Sequence, residues 1–74
     1  MPVSESTAIH RLAKRIKQLR LARGWTQEEF AERASIQRSY LADLERGSRN
    51  PSVRTLIKIA NAFNVALKDL FEES

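Results

Sequence analysis

The residues from 26 to 47, TQEEFAERASIQRSYLADLERG, constrain the fold more than any other part of the chain. Apolar residues recur there at spacings of three and four on either side of a short break, which is the pattern of two short amphipathic helices joined by a tight turn. The predicted inner faces carry Phe30, Ala31, Ala34, Tyr40, Leu41 and Leu44. The remaining residues must therefore hold two short helices in contact.

Local signals set the bounds of these two helices. Thr26 is a favourable N-cap, and Glu29 three residues later completes a capping-box pattern. Gln37 stands where the next helix begins, and its side chain is a poor cap. Gly47 ends that helix, which we predict from about Arg38 to Arg46.

The flanking segments also predict helices, and no strand pattern stands out. Ser6 or Thr7 can cap a first helix that ends at Gly24, and Pro51 with Ser52 starts a fourth. A last apolar stretch, Val65 to Phe71, is long enough for one or two further turns. We therefore predict an all-α fold of five helices, with residues 1–6 as a flexible N-terminus and residues 7–72 as one domain.

Composition excludes several classes of function. The 74 residues include no cysteine and a single histidine, His10, so neither a thiolate nor a multi-histidine metal site is expected. No apolar run is long enough to cross a membrane, and no secretory signal is recognised, so a cytoplasmic protein is the expectation. No cofactor and no small-molecule ligand are expected. An enzyme has little support, because no nucleophile and base lie at a suggestive spacing.

Charge is distributed unevenly. Positions 8 to 58 hold twelve basic and five acidic residues, a net charge of +7, whereas positions 66 to 74 carry −2 and the whole chain +4. The basic body favours a polyanionic partner, and the acidic tail is expected to point away from that partner. Arg11, Lys14, Arg15 and Lys17 on the first helix are equally consistent with phosphate contact and with a solvated surface.

The outer edge of the third helix is polar and narrow. Arg38, Ser39, Ala42, Asp43 and Arg46 recur at positions that share one helical stripe. Such a stripe fits a DNA major groove, where an arginine can bind the O6 and N7 atoms of guanine and a methyl group can pack on thymine. We predict Arg38, Ser39, Ala42 and Asp43 as base-reading residues. Asp43 either accepts from a cytosine amine or orients Arg46.

Three segments together resemble the phage repressor and Cro-like (XRE-type) helix-turn-helix family: RLARGWTQEEFAERA, SYLADLERGSRNPSVRTLIKIANAF and the final apolar helix. Within that family, ERGSRN resembles the short controller proteins of restriction-modification systems. The resemblance implies a lambda-repressor-like domain that binds double-stranded DNA as a homodimer. Ser35 departs from the glycine common in the family, and a left-handed backbone there would cost about 1 kcal/mol.

The resemblance also implies roles for single residues. It implies that Gln27 binds the DNA backbone, which suits its place in a first helical turn, and that Arg20 and Glu45 form a structural ion pair. It makes part of the last apolar segment a two-fold interface, for which the candidates are Val65, Leu67, Leu70 and Phe71; the alternative is a monomer that covers its own core. The remaining predicted backbone contacts are Tyr40, Arg46, Ser48, Arg49 and Asn50, and Arg49 could reach a minor groove instead.

Two functions remain open at this point. The first is a dimeric, sequence-specific DNA-binding regulator that occupies a palindromic operator. The second is an antitoxin-type protein-interaction module that also regulates its own operon. An equimolar protein partner on purification would favour the second, and a lone dimer would favour the first.

Overall fold

The computed structural model describes residues 2–71, and all of its regular structure there is helical. Four α-helices follow one another, and a short 3-10 helix closes the domain, so the all-α prediction is confirmed and the predicted fifth helix is a 3-10 helix. The acidic residues 72–74 lie outside the described residues. The helix bounds are α1 Glu5–Ala22, α2 Gln27–Ala34, α3 Arg38–Glu45, α4 Val53–Phe63 and the 3-10 helix Leu67–Phe71.

The first helix begins earlier than predicted. The hydroxyl of Ser4 accepts a hydrogen bond from the backbone N–H of Thr7 at 3.1 Å, so Ser4 is the cap and the choice of Ser6 or Thr7 was wrong. The helix therefore takes in Glu5 and Ser6, which we had assigned to a flexible N-terminus. At the other end, Gly24 has a φ of +70°. This left-handed conformation, which glycine adopts without strain, turns the chain toward α2.

The helix-turn-helix formed by α2 and α3 begins each helix where predicted, and α3 ends at Glu45, one residue before the predicted Arg46. Thr26 and Glu29 form both hydrogen bonds of a capping box, each 3.0 Å long. Ser35 takes the left-handed conformation (φ 57°, ψ 44°), which reverses the chain in a single residue. Ile36 then packs against the core, while Gln37 begins α3 without a side-chain cap. The turn is therefore fixed by its backbone and by apolar packing more than by the cap of α3.

The core lies where the helices meet. Phe30, Ile16, Leu41, Ile59 and Leu70 are its largest fully buried side chains. Each contributes roughly 1.5–3 kcal/mol by leaving water. Trp25 covers the edge of this core, with its ring stacked on Phe63 at a centroid distance of 5.8 Å. One apolar centre thus holds all the elements together.

The last apolar segment is divided between core and surface. Leu70 has no exposed surface and Val65 packs against the core, whereas Leu67 and Phe71 remain 38% and 60% exposed. Leu70 therefore cannot contribute to a two-fold interface, which corrects its place in that prediction. An amphipathic segment must first cover its own core, and only Leu67 and Phe71 keep substantial apolar surface for a partner.

Candidate nucleic-acid interface

The outward edge of α3 forms one wall of a shallow polar groove. Arg38 and Ser39 are exposed at its start, and Ala42 and Asp43 are half-buried one turn later. Arg46 follows as the C-cap of the helix, with 65% of its side chain exposed. The structure thus brings the four predicted base-reading residues and Arg46 onto one open surface. The complete lining of the groove is Lys17, Gln27, Arg38, Ser39, Ala42, Asp43, Glu45 and Arg46.

A buried ion pair supports this groove from behind. The carboxylate of Glu45 accepts from Nε of Arg20 at 2.7 Å and from Nη2 at 3.0 Å. Nη1 of Arg20 donates to the carbonyl of Trp25 at 2.8 Å, so the guanidinium links α1, the chain before α2, and α3. Gln27 donates to the same carboxylate at 3.2 Å. The pair predicted between Arg20 and Glu45 is therefore present, and it fixes the orientation of Gln27 at the edge of the groove.

The basic residues of α1 divide between different surfaces. Lys17 lines the groove beside Gln27, whereas Nε of Arg15 donates to the backbone carbonyl of Asp69 at 3.0 Å. Arg11 and Lys14 line a separate concavity near Phe71. Of these four basic residues, Lys17 is therefore the one that lies beside the outward edge of α3. The sequence pattern did not distinguish it from the other three. Its position three residues before Arg20, on the same side of α1, was the available signal.

The residues after α3 are tied to the helix by local contacts. The backbone N–H and the hydroxyl of Ser48 both bond to the carbonyl of Asp43 at 3.0 Å. The guanidinium of Arg49 lies over the half-buried ring of Tyr40, 5.2 Å from its centroid. The amide of Asn50 donates to the carboxylate of Glu5 at 2.8 Å. These predicted backbone contacts thus form one folded loop that α1 braces through Glu5.

Within residues 2–71, no group of three or more metal-ligating side chains converges. Nor does any helix in that range combine the length and hydropathy needed to span a bilayer.

Comparison with known proteins identifies the family. A helix-turn-helix family model, HTH_3, matches residues 16–70, which include α2, α3 and the groove between them. The chain belongs to this helix-turn-helix family. Its members are DNA-binding transcriptional regulators and not enzymes, so this chain is a helix-turn-helix regulator.

Two relatives in sequence illustrate the range of the family. An uncharacterised helix-turn-helix-type transcriptional regulator of Archaeoglobus fulgidus is 44% identical over 57 residues, 77% of this chain and 81% of that protein. The immunity repressor of Bacillus phage phi105 is 42% identical over 62 residues, 84% of this chain. The chain spans only 43% of that repressor, so the comparison concerns its helix-turn-helix domain.

Solved structures support the resemblance to controller proteins. The restriction-modification controller protein C.AhdI of Aeromonas hydrophila superposes with a TM-score of 0.83 at 35% identity, over 85% of this chain and 96% of that one. The biofilm regulator SinR, solved in complex with DNA, gives a TM-score of 0.78 at 35% identity, over 82% of this chain and 98% of that one. SinR has also been solved in complex with the protein SinI, with 36% identity and a TM-score of 0.78, over 84% of this chain and 61% of that one. The resemblance to phage repressors and controller proteins is confirmed.

Proposed function

We propose that this helix-turn-helix regulator binds a palindromic DNA operator as a homodimer, with α3 in the major groove of each half-site. The observation that carries the proposal is the exposed edge of α3, which is open to a ligand while Arg20 and Glu45 hold the helix from behind. Arg38 and Ser39 lie at the N-terminal end of α3, the end from which helices of this kind read bases.

Different groups in the groove have different tasks in this proposal. Arg38 and Ser39 read base edges, Ala42 packs on a base, and Lys17 with Gln27 binds phosphate on one side of the groove. On the other side, Tyr40 and the loop after α3 meet the second strand. Those loop residues are Arg46, Ser48, Arg49 and Asn50. Because they bind sugar and phosphate, they set the register without reading sequence.

A dimer follows from the need to reach two half-sites. Leu67 and Phe71 at the C-terminal end of the domain are exposed, and they are the apolar residues that we assign to the two-fold contact, with Val65 at its edge. In a dimer on B-DNA, the two copies of α3 would lie about 34 Å apart, one turn of the duplex. A dimer also makes DNA binding depend on protein concentration, which would be the means of regulation.

The test is selection of duplexes from a random pool by the purified protein, followed by sequencing and sedimentation of the complex. We expect an inverted repeat with half-site centres about one helical turn apart and two chains per duplex. Recovery of unenriched sequences, or of a single half-site with one bound chain, would contradict the proposal. Substitution of Phe71 by Ser should weaken binding to the full repeat more than binding to an isolated half-site.

A second function has a specific observation in its favour. Val53 and Ile57 lie one turn apart on α4 and are 64% and 46% exposed, which is apolar surface that the monomer leaves open. A protein partner on this face would make the chain an antitoxin-type or SinR-like interaction module that still binds DNA. Purification of the chain from its native cell, with and without Val53→Ser and Ile57→Ser, distinguishes the two. An equimolar partner lost from the variant favours this second function.

A further inference from the structure

The carboxylate of Asp43 contacts two arginines at the end of α3 and in the loop after it, Arg46 and Arg49. One of its oxygens forms an ion pair with Nη2 of Arg46, and the other lies 3.5 Å from Nε of Arg49. The Asp43 side chain is 29% exposed, and those of Arg46 and Arg49 are 65% and 53% exposed. In the free protein, two positive charges are thus gathered on one negative charge at the rim of the groove.

A carboxylate and a phosphate compete for the same guanidinium group. Both can present two oxygen atoms to the N–H groups of arginine, and both form charge-assisted hydrogen bonds. The two ion pairs at Asp43 are solvent-exposed, so each is weak enough for a DNA phosphate to replace. When Arg46 turns Nη2, or Arg49 turns Nε, to a phosphate, it gives up its contact with Asp43.

We propose that Asp43 is a specificity-determining residue that withholds Arg46 and Arg49 from the phosphates of non-operator DNA. The proposal rests on the proposed function, because it requires α3 to enter the major groove. It differs from a base-reading role in that the main effect of the carboxylate is on binding to the wrong sequence.

The preference for the operator comes from the surroundings of the Asp43 carboxylate once it has lost its arginines. On non-operator DNA, release of the two arginines would leave the carboxylate in the negative field of the groove with no partner, so the arginines stay paired with it. On the operator, it can accept a hydrogen bond from a base amine, such as N4 of cytosine, which compensates for the lost ion pairs. Asp43 therefore weakens binding to non-operator DNA more than binding to the operator. This difference in binding free energy is its contribution to specificity.

The backbone of Asp43 makes the side chain separable in an experiment. The loop after α3 is held by hydrogen bonds from Ser48 to the carbonyl of Asp43, not to its carboxylate. Asp43→Asn keeps that carbonyl and the shape of the side chain but removes the charge. Glu32→Gln is a control for net charge, because Glu32 is exposed and its variant loses the same charge, but the residue does not line the groove.

The experiment measures the affinity of the wild type and of both variants for two duplexes across a series of salt concentrations. One duplex is that selected by the wild type from a random pool, and the other is a scrambled sequence of the same length. We expect Asp43→Asn to raise affinity for the scrambled duplex about tenfold near 0.1 M salt, with a salt slope steeper by about 1 to 2, since each added phosphate contact contributes about 0.9. Affinity for the selected duplex should gain less than affinity for the scrambled duplex, because the arginines are already released there and the carboxylate's contact with the base amine is weakened, so the ratio of the two affinities falls.

Other outcomes would overturn the proposal. An equal gain on both duplexes, matched by Glu32→Gln, would mean that only net charge matters. A loss on both would mean that Asp43 positions the two arginines for DNA. Adding Arg46→Ala and Arg49→Ala to Asp43→Asn should abolish the gain on the scrambled duplex, and persistence of the gain would also count against the proposal. If the wild type selects no duplex at all, it is the proposed function that fails.

Discussion

Arg20 on α1 and Glu45 on α3 form a two-pronged ion pair in which the guanidinium side chain is 9% exposed and the carboxylate side chain 2%. The carboxylate also accepts from Gln27, whose backbone starts α2. Three consecutive helices are therefore aligned by one carboxylate. Because Glu45 lies on the same helix as Arg38 and Ser39, the Arg20–Glu45 ion pair sets the angle at which the outward edge of α3 meets a ligand.

Removing one partner of this pair should be strongly destabilising. Glu45→Ala or Arg20→Ala leaves the other charge buried without a counter-ion, and we expect a loss of roughly 3–5 kcal/mol in the free energy of unfolding. Urea denaturation followed by circular dichroism measures it. Replacement of both residues, as in Arg20→Met with Glu45→Leu, should recover much of the loss, since no charge is then stranded. A loss below about 1 kcal/mol in either single variant would show that solvent reaches the pair.

Arg38 and Arg49 should differ in the kind of binding energy that they supply. Arg38→Ala is expected to lose about 1–3 kcal/mol of discrimination at one position of the operator, with little change on unrelated sequence. Arg49→Ala should weaken binding to the operator and to its single-base variants alike and make the salt slope on these duplexes shallower by about 1. Competition assays with single-base variants of the selected operator separate the two effects. If neither variant changes affinity for that operator, the docking of α3 in the groove is wrong.

The part of the fold that could be predicted is the part with local signals. The capping box at Thr26 and Glu29 and the glycine Gly24 after α1 follow from short-range chemistry, and the structure has both. The start of α1 was misplaced because Ser4, Ser6 and Thr7 can all cap a helix. Only the structure shows which of them does so.

The limits of the site prediction have a different origin. Leu67, Leu70 and Phe71 have similar hydrophobicity, and only tertiary packing decides that Leu70 is buried while its neighbours are exposed. Likewise, the choice of Lys17 over Arg15 depends on how α1 is rotated relative to α3. Sequence periodicity gives the faces of a helix, but it does not say which neighbour each face meets.

Ser35 occupies a backbone conformation that suits glycine better. Its φ of 57° places Cβ close to the following peptide, and Ser35→Gly removes that strain. We expect a gain of up to about 1 kcal/mol in the free energy of unfolding, because the greater freedom of glycine in the unfolded chain offsets part of the benefit. Asn61→Gly, at an exposed helical position of α4, is the control and should destabilise by roughly 0.3 kcal/mol. Destabilisation by both would mean that Ser35 is not strained.

Acid should weaken the start of α2. The pKa of Glu29 lies below its ordinary value of 4.5, mainly because the backbone N–H of Thr26 donates to its carboxylate. A hydrogen bond with the Thr26 side chain and the positive charge of Arg33 lower this pKa further. A carboxyl group with a lowered pKa stabilises the folded state above 4.5, and this contribution is lost as the pH falls through the folded-state pKa. The melting temperature of the wild type should therefore fall more steeply below that pH than that of Glu29→Gln. Parallel curves for the two proteins would contradict this assignment.

Gly47 should be intolerant of a side chain for two reasons that Gly24 allows us to separate. Both have positive φ, +76° and +70°, but a Cβ at Gly47 would lie 2.9 Å from Cδ2 of His10, whereas one at Gly24 meets nothing within 4 Å. Gly24→Ala should cost about 1–2 kcal/mol from backbone strain alone. Gly47→Ala should cost about 1 kcal/mol more, because Nδ1 of His10 lies 2.8 Å from the carbonyl of Ser6 and this contact holds the ring in place. With His10→Ala added, the cost of Gly47→Ala should fall to that of Gly24→Ala; an unchanged cost would show that the ring moves aside freely.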